Sequence, residues 1–170
     1  MLRKLIELPE GASTRPKPAP LGPRKKNDYE NNVRHWADLC EADFSPESRN
    51  FFKTDTSLAL RGAMVAQEEG RFREYHYPMY RARWAEPRDL SEPAVVHQHL
   101  AEAGLDADAT LARAESSELI ERLEAETHSA IERGVFGVPA LFVGDEMFWG
   151  NDRFELVRHY LKRLAPTDIG

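Results

Sequence analysis

Gly134-Val135-Phe136-Gly137-Val138-Pro139-Ala140-Leu141-Phe142-Val143 is the stretch that decides how this chain folds. Just upstream, Leu119, Ile120, Leu123, Ala130 and Ile131 recur on one face of a helix opened by Ser116-Ser117-Glu118, which reads as the longest in the chain. Gly134 stands where a glycine usually ends a helix, because it takes a left-handed backbone without a Cβ clash. Downstream the period drops from 3.6 to two. Ala140–Val143 and Glu146–Trp149 read as strands joined by Gly144-Asp145, a pair suited to a two-residue hairpin. Asn151 or Asp152 then caps a last helix expected to bury Phe154, Val157, Tyr160, Leu161 and Leu164. On the residues alone, Pro139 is an ordinary strand-start proline, since only about 5–6% of X-Pro bonds in folded proteins are cis.

Working back toward the N-terminus, residues from about 27 to 106 read as helix almost throughout. Asp28 is placed to cap a helix carrying Val33, Trp36, Ala37 and Cys40. On that apolar face, Cys40 is expected to be a buried, inert thiol. A loop over 44–55 contains Pro46. Thr56 or Ser57 opens the next helix, with Leu58, Leu60, Ala63, Met64 and Ala66, and Gly70 stops it. Phe72, Tyr75, Met79 and Tyr80 follow at helical spacing and are expected in the core, although Pro78 should kink that segment. Ser91-Glu92-Pro93 and Asp106 open two shorter helices, the first closed by Gly104. Further upstream, five of the eleven prolines fall at 9, 16, 18, 20 and 23, so this stretch should be extended and irregular. Leu2 to Leu8 is too short for periodicity to separate a strand from a helical turn.

Composition narrows the class of function. The 170 residues are 41% hydrophobic and 31% charged, enough apolar content for a packed core in one domain or one domain with an insertion. A net charge of -6 disfavours nucleic acid and anionic membrane surfaces as partners, and the Arg24-Lys25-Lys26 cluster reads as a solvated linker. No apolar run reaches the ~18 residues that span a bilayer. The first residues are too few and too charged for a signal peptide, which points to the cytoplasm. Cys40 is the single cysteine, so an internal disulfide and a Cys-x-x-Cys redox pair are both excluded. The six histidines (35, 76, 97, 99, 128 and 159) show no paired-ligand spacing, and no metal is expected.

The order helix, Gly-Val-x-Gly-Val-Pro, hairpin, then Gly-x-Asp-Arg before a last helix resembles the C-terminal half of the DsbA-like thioredoxin superfamily. Within it, the string is similar to the kappa-class glutathione transferases and the 2-hydroxychromene-2-carboxylate isomerases. The resemblance covers roughly residues 24–164. The helical stretch, with Phe72, Tyr75, Tyr80, Trp84 and then Leu105-Asp106-Ala107 in order, looks like the helical domain this family inserts into its thioredoxin fold. The implied fold is α/β and thioredoxin-like. Its parts are a remnant of the thioredoxin half plus a connector over 1–26, an inserted helical domain over 27–115, and the C-terminal thioredoxin half over 116–170.

The resemblance also implies a site. Val138-Pro139 should be cis, turning the Val138 main chain outward so that glutathione can add along it as a short strand. Free amides where the last helix begins, at Asn151 and Asp152, suit a carboxylate. Asp152 is either a plain helix cap or the counter-charge for the ligand's ammonium. Asp55, in Lys53-Thr54-Asp55-Thr56, is either a helix cap or the family's glutathione contact, where Asn is the commoner residue. The family's leading strand, Ser-Pro turn, helix and second strand have no counterpart here. The serine or cysteine that faces the thiol is therefore carried onto no residue, neither Ser13 nor Ser45. A misplaced start codon or a reduced protein accounts for this, and the sheet edge at Ala140–Val143 then needs Leu2–Leu8 or a partner chain to cover it.

The implied function is glutathione-dependent isomerisation, in which a thiol adds reversibly to a small aromatic enone. A kappa-type transferase, a relative of the DsbA oxidoreductases, and a non-catalytic module binding glutathione or protein are the alternatives. Relatives of this kind are commonly homodimers.

Overall fold

The structure, a computed structural model, describes residues 23–51 and 53–164. The expected strand or turn at Leu2–Leu8 and the proline-rich stretch before Pro23 lie outside the described residues. Two compact units emerge, 23–124 and 125–164 in described residues, with the division falling inside a helix.

In the first unit, helix α1 spans Pro23–Leu39. It begins at Pro23, not after Asp28, and so takes in the Arg24-Lys25-Lys26 stretch that read as linker. Proline suits a first helical position, where its missing N–H had no partner to lose. At 17 residues α1 is longer than the 16-residue helix opened near Ser116, against expectation. Cys40 is exposed, not buried. The helix ends one residue earlier, and Glu41 at φ 50 turns the chain away from the face that Val33 and Trp36 half-bury.

A 3-10 turn over Pro46–Phe51 leads to α2, Ser57–Glu68. Helix α3, Phe72–Trp84, carries Pro78 in its interior without interruption, giving up one backbone bond rather than the helix. Helix α4, Pro93–Glu102, starts on a proline behind a turn in which the Asp89 carboxylate accepts bonds from the Ser91 N–H (2.9 Å) and hydroxyl (2.7 Å). Asp106 caps α5, Ala107–Ala114, accepting from the Ala109 N–H at 3.0 Å. Helix α6, Ser117–Glu132, begins in this unit and ends in the second.

The core of the first unit gathers Tyr75, Met79, Val96 and Leu100 from α3 and α4 against Ala59 and Ala66 of α2. Leu119 and Leu123 of α6 close a second cluster over Met64 and Val65. The aromatic face of α3 is only half used. Tyr75 and Met79 are buried, but Phe72 and Tyr80 are 37% and 57% exposed, each with its ring centroid 4.6 Å from the His76 ring. Of the two sets, the one that packs into the core with α2 and α4 is Tyr75 and Met79.

Glu68 at the end of α2 joins α5 and α6 by pairing with Arg113 at 2.6 Å and with Arg122. The hydrogen bonds from Arg122 and Arg113 hold its carboxyl below the ordinary value of 4.5. A carboxyl more acidic in the folded than in the unfolded chain stabilises above that value and loses its contribution as pH falls through the folded one. Glu68→Gln is expected to cost about 0.5–1 kcal/mol at neutral pH, in line with a partly solvated pair. The loss should shrink as pH falls below 4.5 and through the lower folded value, as urea melts at several pH values can check.

In the second unit β1, Ala140–Val143, pairs antiparallel with β2, Glu146–Trp149, in the register Ala140↔Trp149 to Val143↔Glu146. The Gly144-Asp145 turn is as expected. Helix α7, Phe154–Leu164, packs Tyr160 edge-on to Phe148 with centroids 5.6 Å apart. Val157 is half-buried, and the rest of the helix's apolar face is open. Phe154, Leu161 and Leu164 are 53%, 50% and 60% exposed, where burial was expected. A two-stranded hairpin covers too little of a helix to bury a whole stripe.

Candidate functional site

The second unit places four of the five expected site residues together. Helix α6 is closed by Gly134 N–H on Ile131 O (2.8 Å) and Val135 N–H on Ala130 O (3.0 Å), and Val135 tucks in at 8% exposure. The chain then runs out through Phe136 and Gly137 to Val138, which is 69% exposed. The Val138-Pro139 peptide is cis. Among the described residues neither the N–H nor the C=O of Val138 meets a hydrogen-bond partner, so a polar main-chain edge faces outward.

One bond ties this edge to the start of the last helix. Gly150 N–H donates to Pro139 O at 3.0 Å. Gly150 sits at φ 118 and ψ 151, a conformation that strains any residue with a Cβ. It leads into a 3-10 turn, Asn151–Arg153, and then α7. The capping position of that turn is Gly150 and carries no side-chain cap bond, so the expected capping by Asn151 or Asp152 is not what opens it. Asp152 instead folds one carboxylate oxygen back over Gly150, and the other lies 3.4 Å from the Arg153 guanidinium. The first amides of the turn are donors for which a helix offers no internal acceptor. Together these groups offer a main-chain edge, amides for an anion and a carboxylate for a cation.

Asp55 belongs to the first unit. Its carboxylate accepts from the Ser57 N–H at 2.9 Å and the Ser57 hydroxyl at 2.6 Å, which is the geometry of a helix-start residue. The loop that carries it is pinned by a buried cation. Arg83, 8% exposed, donates from Nη1 to Ser48 O at 2.5 Å, and burial lowers its guanidinium's affinity for a proton. Three residues near the site were given no role of their own by the sequence reading: Gly150, quoted only as the first residue of Gly-x-Asp-Arg, Phe136 and Trp149. Gly150 could have been found from a glycine that ends a strand and is followed at once by Asn-Asp. The two aromatics carry no such signal, because a strand-end Trp and a turn Phe look like core.

A family model described as a DSBA-like thioredoxin domain matches residues 2–162. The chain belongs to the DSBA-like thioredoxin domain family. It is 40% identical over 145 residues to "2-hydroxychromene-2-carboxylate isomerase" of Pseudomonas putida, covering 82% of this chain and 68% of that protein. The protein of the same name from Pseudomonas sp. (strain C18) is 36% identical over 139 residues, covering 79% of this chain and 62% of the relative. That from Sphingobium xenophagum is 32% identical over 102 residues, with 58% and 51% covered. The chain thus spans 51% to 68% of the length of these relatives. A solved structure of selenomethionine 2-hydroxychromene-2-carboxylate isomerase matches at TM-score 0.67 and 31% identity, over 85% of this chain and 72% of that one. The expected thioredoxin-type fold and the isomerase kinship therefore hold. Among the described residues no helix is long and apolar enough to cross a membrane, and no group of three or more His, Cys, Asp or Glu is placed to hold a metal ion.

Proposed function

We propose that this chain acts as a glutathione-dependent isomerase on an aromatic carboxylate of the 2-hydroxychromene type. The observation that carries the reading is the Val138 main chain, exposed and unpartnered among the described residues, beside a turn rich in amides and holding Asp152. An extended tripeptide fits such an edge by adding as a strand. Kinship to proteins named as isomerases supports the reaction class. Glutathione would supply a thiolate that adds to the conjugated carbon of the substrate, lets the adjacent bond rotate, and leaves unchanged. The chain's own tasks are binding and orientation. Val138 N–H and C=O pair with the ligand's cysteinyl main chain. The amides of Asn151 and Asp152 take a carboxylate, and the Asp152 side chain faces the ammonium. The group that holds the thiolate is assigned to no residue of this chain. The reading includes a homodimer working in the cytoplasm, where glutathione is kept reduced.

Calorimetric titration with glutathione is the direct test. Binding at millimolar concentration or tighter is expected. Asp152→Asn should weaken it about tenfold, the worth of one charge-assisted bond at a wet site. The absence of heat at millimolar glutathione would remove the proposal. A kappa-type transferase differs in outcome, because the thiol adduct would accumulate instead of the isomer.

A further inference from the structure

We infer that Phe136 and Trp149 form an aromatic wall beside the Val138 edge, against which the planar ring system of the electrophile lies. The inference rests on the proposal that a thiol-bearing peptide occupies that edge, and it assigns the side chains that position the aromatic part of the substrate.

The two rings touch, with centroids 4.9 Å apart and planes tilted by 55°. Phe136 is nevertheless 58% exposed and Trp149 49% exposed. Two adjoining large aromatics left this open are an unusual use of apolar surface. Their position is fixed by the hairpin. Trp149 pairs with Ala140 in the strand register, and the next residue, Gly150, bonds to Pro139 O at 3.0 Å. The nitrogen edge of the indole comes close to Gly137. A Cβ built there would come within 2.5 Å of the indole nitrogen and 3.1 Å of Cε2. Successive Cα atoms stand only ~3.8 Å apart, so the indole lies about one residue from the Val138 edge. A thiol presented along that edge reacts only with an electrophile in contact with it. The Phe136–Trp149 pair offers exposed aromatic surface next to that edge, and its faces favour offset stacking with a conjugated ring over an aliphatic chain.

The test separates the wall from the reading beneath it. Trp149→Ala and Phe136→Ala are each expected to raise KM for the chromene carboxylate about three- to tenfold, a range set by the worth of one aromatic contact. KM for glutathione should stay within about twofold, since neither side chain bonds the peptide. Trp149→Phe should recover most of the loss. Trp149→Leu, which keeps bulk without a ring, serves if the alanine variant fails to fold. In a protein carrying Trp36→Phe and Trp84→Phe, saturating naphthalene-2-carboxylate should change Trp149 emission while cyclohexanecarboxylate leaves it alone. Unchanged KM values, or emission indifferent to naphthoate while calorimetry shows glutathione bound, would overturn the wall alone. A wild-type dimer that Trp149→Ala dissolves would overturn it too, because a second copy would then cover the pair. Failure of the wild-type protein to bind glutathione would overturn the underlying reading instead.

Discussion

Truncating Tyr75 to alanine is expected to lower the unfolding free energy by about 3–5 kcal/mol, the range for a buried aromatic removed from a core that cannot collapse around the gap. Tyr75 is 1% exposed and is the largest fully buried side chain among the described residues. Its hydroxyl donates to Ala59 O at 3.0 Å, so the ring is fixed at both ends, by α3 through its backbone and by α2 through this bond. Burial raises the phenol well above the usual tyrosine range, so the group stays neutral in the folded chain at any ordinary pH. The hydroxyl sits against Gly62, where an added Cβ would meet Oη at 2.8 Å and Cζ at 3.2 Å. Gly62→Ala should therefore destabilise, by about 1–3 kcal/mol, although alanine is the better helix former by about 1 kcal/mol. In the double variant Gly62→Ala, Tyr75→Phe, loss of the hydroxyl relieves the clash. The two effects should then fall short of their sum by at least about 0.5 kcal/mol. Urea unfolding followed by far-UV circular dichroism decides this, and strict additivity would mean that the two helices do not meet through this pair.

The turns and strands of this fold were legible because each has a local cause. Gly134, the hairpin over 140–149 and the Asp106 cap need only neighbours in sequence, and all three stand where the residues placed them. What misled the reading was partnership between distant segments. The 3.6-residue period of α3 marks Phe72 and Tyr80 as readily as Tyr75 and Met79, yet only the second pair finds α2 and α4 opposite it. The apolar stripe of α7 has the same fault, since periodicity shows that a face wants burial and not whether the chain supplies a cover. Cys40 turned on a boundary of one residue, the least secure quantity in any helix assignment. The site divides the same way. Val138, Pro139, Asn151 and Asp152 were assigned through a family resemblance, and the backbone of the second unit does bring them together. No composition or spacing rule would have separated Pro139 from a plain strand-start proline. Phe136 and Trp149 stayed hidden because exposure is a property of the folded surface.

Gly150→Ala joins the fold to the proposed chemistry. With φ 118 and ψ 151, Gly150 occupies a region that costs an L-residue about 1–3 kcal/mol. The alanine methyl would also stand 2.5 Å from the Asp152 carboxylate oxygen folded over it. That oxygen ends a short, half-exposed side chain and would swing away. The energetic charge is thus the backbone's, and the displaced Asp152 is what a ligand would notice. Gly134→Ala is the matched control. Gly134 also has a positive φ, 87°, but a Cβ there meets nothing within 4 Å. Both substitutions should lower stability, Gly134→Ala by about 1–2 kcal/mol from left-handed strain and Gly150→Ala by about as much or more. Only Gly150→Ala should weaken glutathione binding. The expected loss is about tenfold or greater, because the change disturbs both Asp152 and the Gly150 N–H bond that holds Pro139 beside Val138. Guanidinium unfolding followed by tryptophan emission measures the first effect, and calorimetry measures the second. Equal affinities in the two variants would detach Asp152 and its turn from the ligand and leave the Val138 edge to bind alone.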